Sequence, residues 1–123
     1  MKVLALDYGA ARTGVAVSDP TGTLARPLAV VERVDGDGWQ RLLELVRTER
    51  PQAVVVGLPL TLRAEHGAQA AETSRFVAAL RDELDVPVET WDERFTSVLA
   101  SGDDARAAAH LLSTYLEWRG NRR

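Results

Sequence analysis

Three carboxylates stand out by their place in the apolar pattern of the chain: Asp7, Glu93 and Asp104. Asp7 follows the apolar run Val3-Leu4-Ala5-Leu6. A carboxylate ending such a run is partly removed from water and is costly without a partner. It calls for a cation, or for the backbone N–H groups of the turn at Tyr8-Gly9. Glu93 falls in Trp91-Asp92-Glu93-Arg94-Phe95-Thr96-Ser97. Side chains alternate across a strand, so Asp92 and Glu93 point to opposite faces and only one easily joins Asp7. Glu93 is the favoured candidate; the competing role for either acid is a surface ion pair with Arg94, which contributes little. On a helix starting near Asp103, Asp104 shares a stripe with Ala108, Leu111 and Tyr115. An acid there also suits the helix dipole, and Ser101, Asp103 or Asp104 can act as N-cap.

Gathered at one sheet edge, the three carboxylates would form an oxygen-rich site for Mg²⁺ or Mn²⁺. Two such ions about 4 Å apart activate water and stabilise the leaving oxygen in phosphodiester hydrolysis. Arg12 and Arg94 would grip phosphates beside the metals, with Thr13, Thr96 and Ser97 as hydroxyl donors. Other chemistries lack their residues. The chain has no cysteine, no GxxxxGK[ST] and no GxGxxG after a strand. His66 and His110 are too far apart in sequence for metal-ligand spacing.

The elements that must carry these residues read as strands first and helices later. Val3 to Tyr8 has the continuous apolar pattern of a central strand, and Gly14 to Asp19 reads as the return strand of a hairpin. Leu24 to Val34 gives a third strand, which Pro27 confines to an edge or to a late start. Trp39 to Arg50 is an amphipathic helix stopped by Pro51. Ala53 to Leu58 is a second buried strand, parallel to the first. Gln69 to Leu84 fits a long helix, Val86 to Glu93 a fifth strand and Asp104 to Trp118 a last helix with Ala108, Leu111, Leu112, Tyr115 and Leu116 as its apolar positions. The expected architecture is α/β, a mixed five-stranded sheet flanked by helices.

With 123 residues and a hydrophobic fraction of 46%, the chain reads as one domain, residues 1–123, able to bury roughly two thirds of its unfolded surface. The stretch Ala53–Leu60 is far too short to span a bilayer, so no membrane partner is expected. The lack of cysteine and of a secretory pattern at the N-terminus points to the cytoplasm. The formal charge of −3 weighs against nucleic acid, because domains that bind it usually read basic. Two divalent ions would turn −3 into +1 and place the gain at the proposed cleavage site. Trp39 and Trp118 suit the rim of the core better than an interface.

Several ordered motifs resemble the YqgF (RuvX) family of pre-16S rRNA nucleases, which have a ribonuclease H-like fold related to Holliday-junction resolvases. They are Leu4-Ala5-Leu6-Asp7-Tyr8-Gly9, Arg12-Thr13-Gly14-Val15-Ala16, Val56-Gly57-Leu58-Pro59, Gly67 through Phe76, Asp92-Glu93-Arg94-Phe95-Thr96-Ser97 and Asp104-Ala105-Arg106-Ala107-Ala108. The resemblance implies that Asp7, Glu93 and Asp104 form the acidic metal-binding triad, with Asp103 competing for the third place. It implies a nuclease using Mg²⁺ or Mn²⁺ to mature the 5′ end of 16S rRNA precursors in the cytoplasm, as a monomer or weak homodimer. The alternatives are a nuclease resolving Holliday junctions or repairing DNA, and a non-catalytic RNA-binding module of the same fold. The chain departs from the family pattern between the Asp-Glu-Arg motif and the last helix, where only Val98 to Asp103 stand in place of a longer Lys/Arg-rich connection.

Overall fold

The computed structural model describes residues 1–58, 68–92 and 104–121. Its elements, in chain order, are β1 (Val3–Asp7), β2 (Arg12–Ser18), β3 (Ala25–Glu32), α1 (Trp39–Glu49), β4 (Ala53–Leu58), α2 (Ala68–Glu83), β5 (Val88–Asp92) and α3 (Asp104–Asn121). The strands form one sheet in the order β3-β2-β1-β4-β5. β1 pairs antiparallel with β2 and parallel with β4; β2 pairs antiparallel with β3, and β4 parallel with β5. The mixed five-stranded sheet expected from the sequence is thus formed, with β2 alone running against the other four.

The two continuous apolar runs occupy the centre because both of their faces are covered. On one face Leu4, Leu6, Val54 and Val56 pack against Leu42, Leu43 and Val46 of α1 and Phe76, Val77 and Leu80 of α2. On the other, Val3, Ala5, Ala16, Val55 and Trp91 pack against Ala108, Leu111, Leu112, Tyr115 and Leu116 of α3. All five apolar positions read for the last helix are buried.

Element ends differ from the sequence reading where a distant partner intervenes. β2 begins at Arg12, two residues before Gly14, because β3 reaches far enough for Glu32 to pair with Arg12. Pro27 lies on an edge strand, where a missing N–H costs no ladder bond to a further strand. α1 stops at Glu49, and Arg50 turns left-handed (φ 53°) with its N–H donating to the Val46 carbonyl ahead of Pro51. β5 starts at Val88 because Pro87 has no N–H to give; its carbonyl accepts from Val54. α3 continues past Trp118 to Asn121.

Candidate active site at the carboxyl edge of the sheet

β1, β4 and β5 end on the same side of the molecule, at Asp7, Leu58 and Asp92. The antiparallel β2 begins there, at Arg12. In open α/β sheets ligands collect beyond this carboxyl edge.

Asp7 is the last residue of β1 and is partly buried. Val3 and Ala5 pack under α3, so strand alternation sends Asp7 to the α3 face. Its partner across the β1–β2 ladder is Gly14, and directly opposed residues share a face. A Cβ on Gly14 would sit 1.8 Å from the carbonyl oxygen of Asp104. The missing side chain is therefore what lets the first turn of α3 rest on β2 beside Asp7. Gly14 is the common neighbour of the two aspartates, one reached through the strand ladder and the other through close approach of backbone.

Asp104 is partly exposed at the start of α3, while Ala105 and Ala108 carry the buried stripe. Arg12 Nε lies 3.3 Å from Asp104 Oδ2, with side chains 66% and 37% exposed. At that exposure the pair adds little to stability. It does place a guanidinium at the same edge as both acids. Thr13 is fully buried. Its hydroxyl donates to the Gly9 carbonyl (3.1 Å) and accepts from the Gly9 N–H (3.4 Å). A Cβ on Gly9 would fall 2.5 Å from the Arg12 carbonyl. This closed turn fixes the spacing between Asp7 and Arg12.

Glu93, Arg94, Thr96, Ser97, Asp103 and His66 lie outside the described residues. Asp92 has the parity of Val88, which packs in the α1/α2 layer. Alternation therefore sets Asp92 on the face opposite Asp7. His110 is exposed on α3. Among the described residues no group of three His, Cys, Asp or Glu side chains is arranged to hold a metal ion. Asp7 and Asp104 do supply an all-oxygen donor set of the kind that hard divalent cations take.

An aromatic cluster that no sequence motif marks lies on the opposite side of β1. Tyr8 stacks on Phe76 with centroids 4.5 Å apart, and Trp39 meets Phe76 edge-on at 6.0 Å. Burial raises the Tyr8 hydroxyl above the usual phenol range, helped by Glu72 and Asp35 and opposed by Arg75. The available signal was that Tyr8 follows Asp7 and so must point the other way. Below the Asp7 face, Trp91, Tyr115 and Trp118 form a second cluster, with Trp91 5.7 Å from Tyr115 and 5.2 Å from Trp118. Trp39 is partly buried at the rim, as expected, whereas Trp118 remains 43% exposed. The Tyr115 hydroxyl donates to Glu89, and burial together with that carboxylate pushes it up to about 12.

A family model described as RuvX, Holliday junction resolvase, matches residues 1–118. The chain belongs to the RuvX family. Its relatives in that family include a protein of Rubrobacter xylanophilus assigned as a pre-16S rRNA nuclease, 45% identical over 97% of this chain and 94% of the relative. A Chloroflexus aggregans protein with the same assignment is 40% identical over 97% of this chain and 95% of its own length. Among solved structures, Thermus thermophilus RuvC in complex with a Holliday junction superposes with a TM-score of 0.66 at 21% identity, covering 98% of this chain and 96% of RuvC. The RuvX chain thus has the ribonuclease H-like resolvase fold expected from its motifs. Among the described residues no helix is long and apolar enough to cross a membrane.

Proposed function

We propose that this protein is a nuclease that hydrolyses phosphodiester bonds in the precursor of 16S rRNA, acting in the cytoplasm as a monomer or weak homodimer. The observation that carries the reading is the pairing of Asp7 and Asp104 on one face of the carboxyl edge through Gly14. The assignments of its relatives and the family description support a nucleic-acid substrate.

Asp7 and Asp104 would hold Mg²⁺ or Mn²⁺. Glu93 is the third ligand in this reading: it is the next residue after Asp92 and has the parity of Trp91, which packs under α3. Bound there, the ion supplies water activation and stabilises the leaving oxygen. Arg12 binds a phosphate oxygen of the substrate, since its exposed guanidinium leaves N–H groups beyond the one aimed at Asp104. Arg94, Thr96 and Ser97 follow Glu93 directly and complete the phosphate grip. Thr13, turned inward, keeps the Asp7–Arg12 turn closed and so holds both groups in place. In this acidic chain the positive charge at the site comes from the ion and from a few arginines, so binding should weaken strongly when the ion is removed.

The test is cleavage of a 16S rRNA precursor by the wild type and by Asp7→Asn, in Mg²⁺ and in Mn²⁺, beside a four-way DNA junction. Cleavage of the RNA that disappears in Asp7→Asn supports the proposal. Cleavage of the junction alone moves the substrate to branched DNA, consistent with the family description. Equal cleavage by both proteins overturns the role of Asp7. RNA retained in EDTA, with no product at any metal concentration, makes the protein a binding module.

A further inference from the structure

On the side of β1 away from α3, a cleft of about 510 Å³ opens between the start of α1 and the middle of α2. Its lining includes Tyr8, Trp39 and Phe76, with Asp35, Glu72 and Arg75. Its volume is in the range of small-ligand sites. We propose that this cleft binds a nucleobase carrying an exocyclic amino group, namely guanine, adenine or cytosine, unstacked from the strand whose phosphate lies at Asp7. The proposal rests on the nuclease reading for the identity of that strand.

Three observations lead there. Aromatic faces are the usual platform for an unstacked base, because every base has a π-face. Tyr8 and Trp39, both partly exposed, offer such surfaces to the cleft, held in place by the buried Phe76 that Tyr8 stacks on at 4.5 Å and Trp39 meets edge-on at 6.0 Å. Next, the polar lining is two carboxylates against one guanidinium, which repels a phosphate and accepts N–H donors. An exocyclic amino group presents two such donors on one nitrogen, whereas uracil offers only its single imide N–H between two carbonyls, whose oxygens the carboxylates repel. Finally, Tyr8 follows Asp7 directly in the chain and packs on the opposite face of the same strand end. The two side chains leave adjacent Cα atoms, so a nucleotide that wraps the end of β1 would meet both. Its phosphate would lie on the Asp7 side and its base on the Tyr8 side.

The experiment uses the full-length ¹⁵N-labelled protein in EDTA, titrated separately with GMP, AMP, CMP, UMP, ribose 5-phosphate and spermidine. The expected result is that the three amino-bearing nucleotides shift the Trp39 indole N–H and the amides of Tyr8 and Phe76, binding at least about tenfold more tightly than UMP. Ribose 5-phosphate leaves those signals in place. Glu72 is exposed on α2, so Glu72→Ala keeps the fold and should cut the preference over UMP to less than about threefold. The proposal is overturned if UMP binds as tightly as GMP, if ribose 5-phosphate moves the same signals, or if no nucleotide does so at millimolar concentration. It is also overturned if spermidine shifts them more than any nucleotide, which would make the cleft a cation site. No cleavage enters these readings. Loss of the nuclease reading through Asp7→Asn would leave a positive titration standing, and a negative titration would leave the role of Asp7 untouched.

Discussion

The two sides of the β1 strand end differ in kind although they are separated by one residue. On the α3 side, Asp7, Gly14, Arg12 and Asp104 make a polar, partly exposed edge where backbone touches backbone. On the α1/α2 side, Tyr8, Phe76 and Trp39 make an aromatic wall continuous with the larger core. The polar side depends on an absent side chain, and its exposed ion pair contributes little to stability; the aromatic side depends on bulk and contributes much. A single strand can carry both because its side chains alternate, so chemistry and support stand back to back on one rigid segment.

Substitutions that separate the two sides test this contrast. Phe76→Ala should have the largest effect, costing about 3–5 kcal/mol by emptying a buried ring site, with chemical denaturation as the measurement. An unchanged midpoint would mean that the aromatic wall is not supporting the core. Asp7→Asn should do the reverse, leaving the thermal midpoint nearly unchanged while cleavage falls at least about 100-fold. Gly14→Ala should disturb both properties, because its methyl would meet the Asp104 carbonyl at 1.8 Å. We expect a loss of about 1–3 kcal/mol together with slower cleavage, and full activity in this variant would refute the role of the close approach.

Tyr115, which closes the α3 side, gives a pH test. The native phenol keeps its proton up to about 12, whereas in the unfolded chain it is lost near the ordinary phenol value of 10.0. The native state therefore binds more protons between those limits, and this contribution to stability, fully present below pH 10, is lost as pH rises through the window. Urea denaturation at pH 9 and at pH 11 should show a smaller alkaline loss in Tyr115→Phe than in the wild type. The smallest stability effect is expected from Arg12→Ala, within about 1 kcal/mol because its ion pair is exposed. Its affinity for the nucleic-acid substrate should fall and lose part of its salt dependence, as measured by filter binding over a salt series.

Much of this was readable in the chain itself. The apolar runs at Val3–Leu6 and Ala53–Val56 fixed the central strands and their parallel pairing, because only strands covered on both faces are apolar at every position. The stripe of Ala108, Leu111, Leu112, Tyr115 and Leu116 fixed the buried face of the last helix through its 3.6-residue period. Asp7 was recognisable because it is a charge at the end of such a run.

Tertiary structure decided what no periodicity encodes. The sequence could offer Asp104 only as one of several acids near a helix start. Its place beside Asp7 comes from α3 resting on Gly14, a contact between residues ninety positions apart. Thr13 was legible as a hydroxyl near the site, but only the closed hairpin turns that hydroxyl onto Gly9. Likewise Tyr8, Trp39 and Phe76 are scattered in sequence and form one wall only when two helices cover the same sheet face. Local pattern determines which side of an element is buried, since that depends on neighbours within a turn or two of chain. Which elements meet, and which side chains then share a cleft or an edge, depends on contacts that close long loops, and these are set by the packing of the whole sheet.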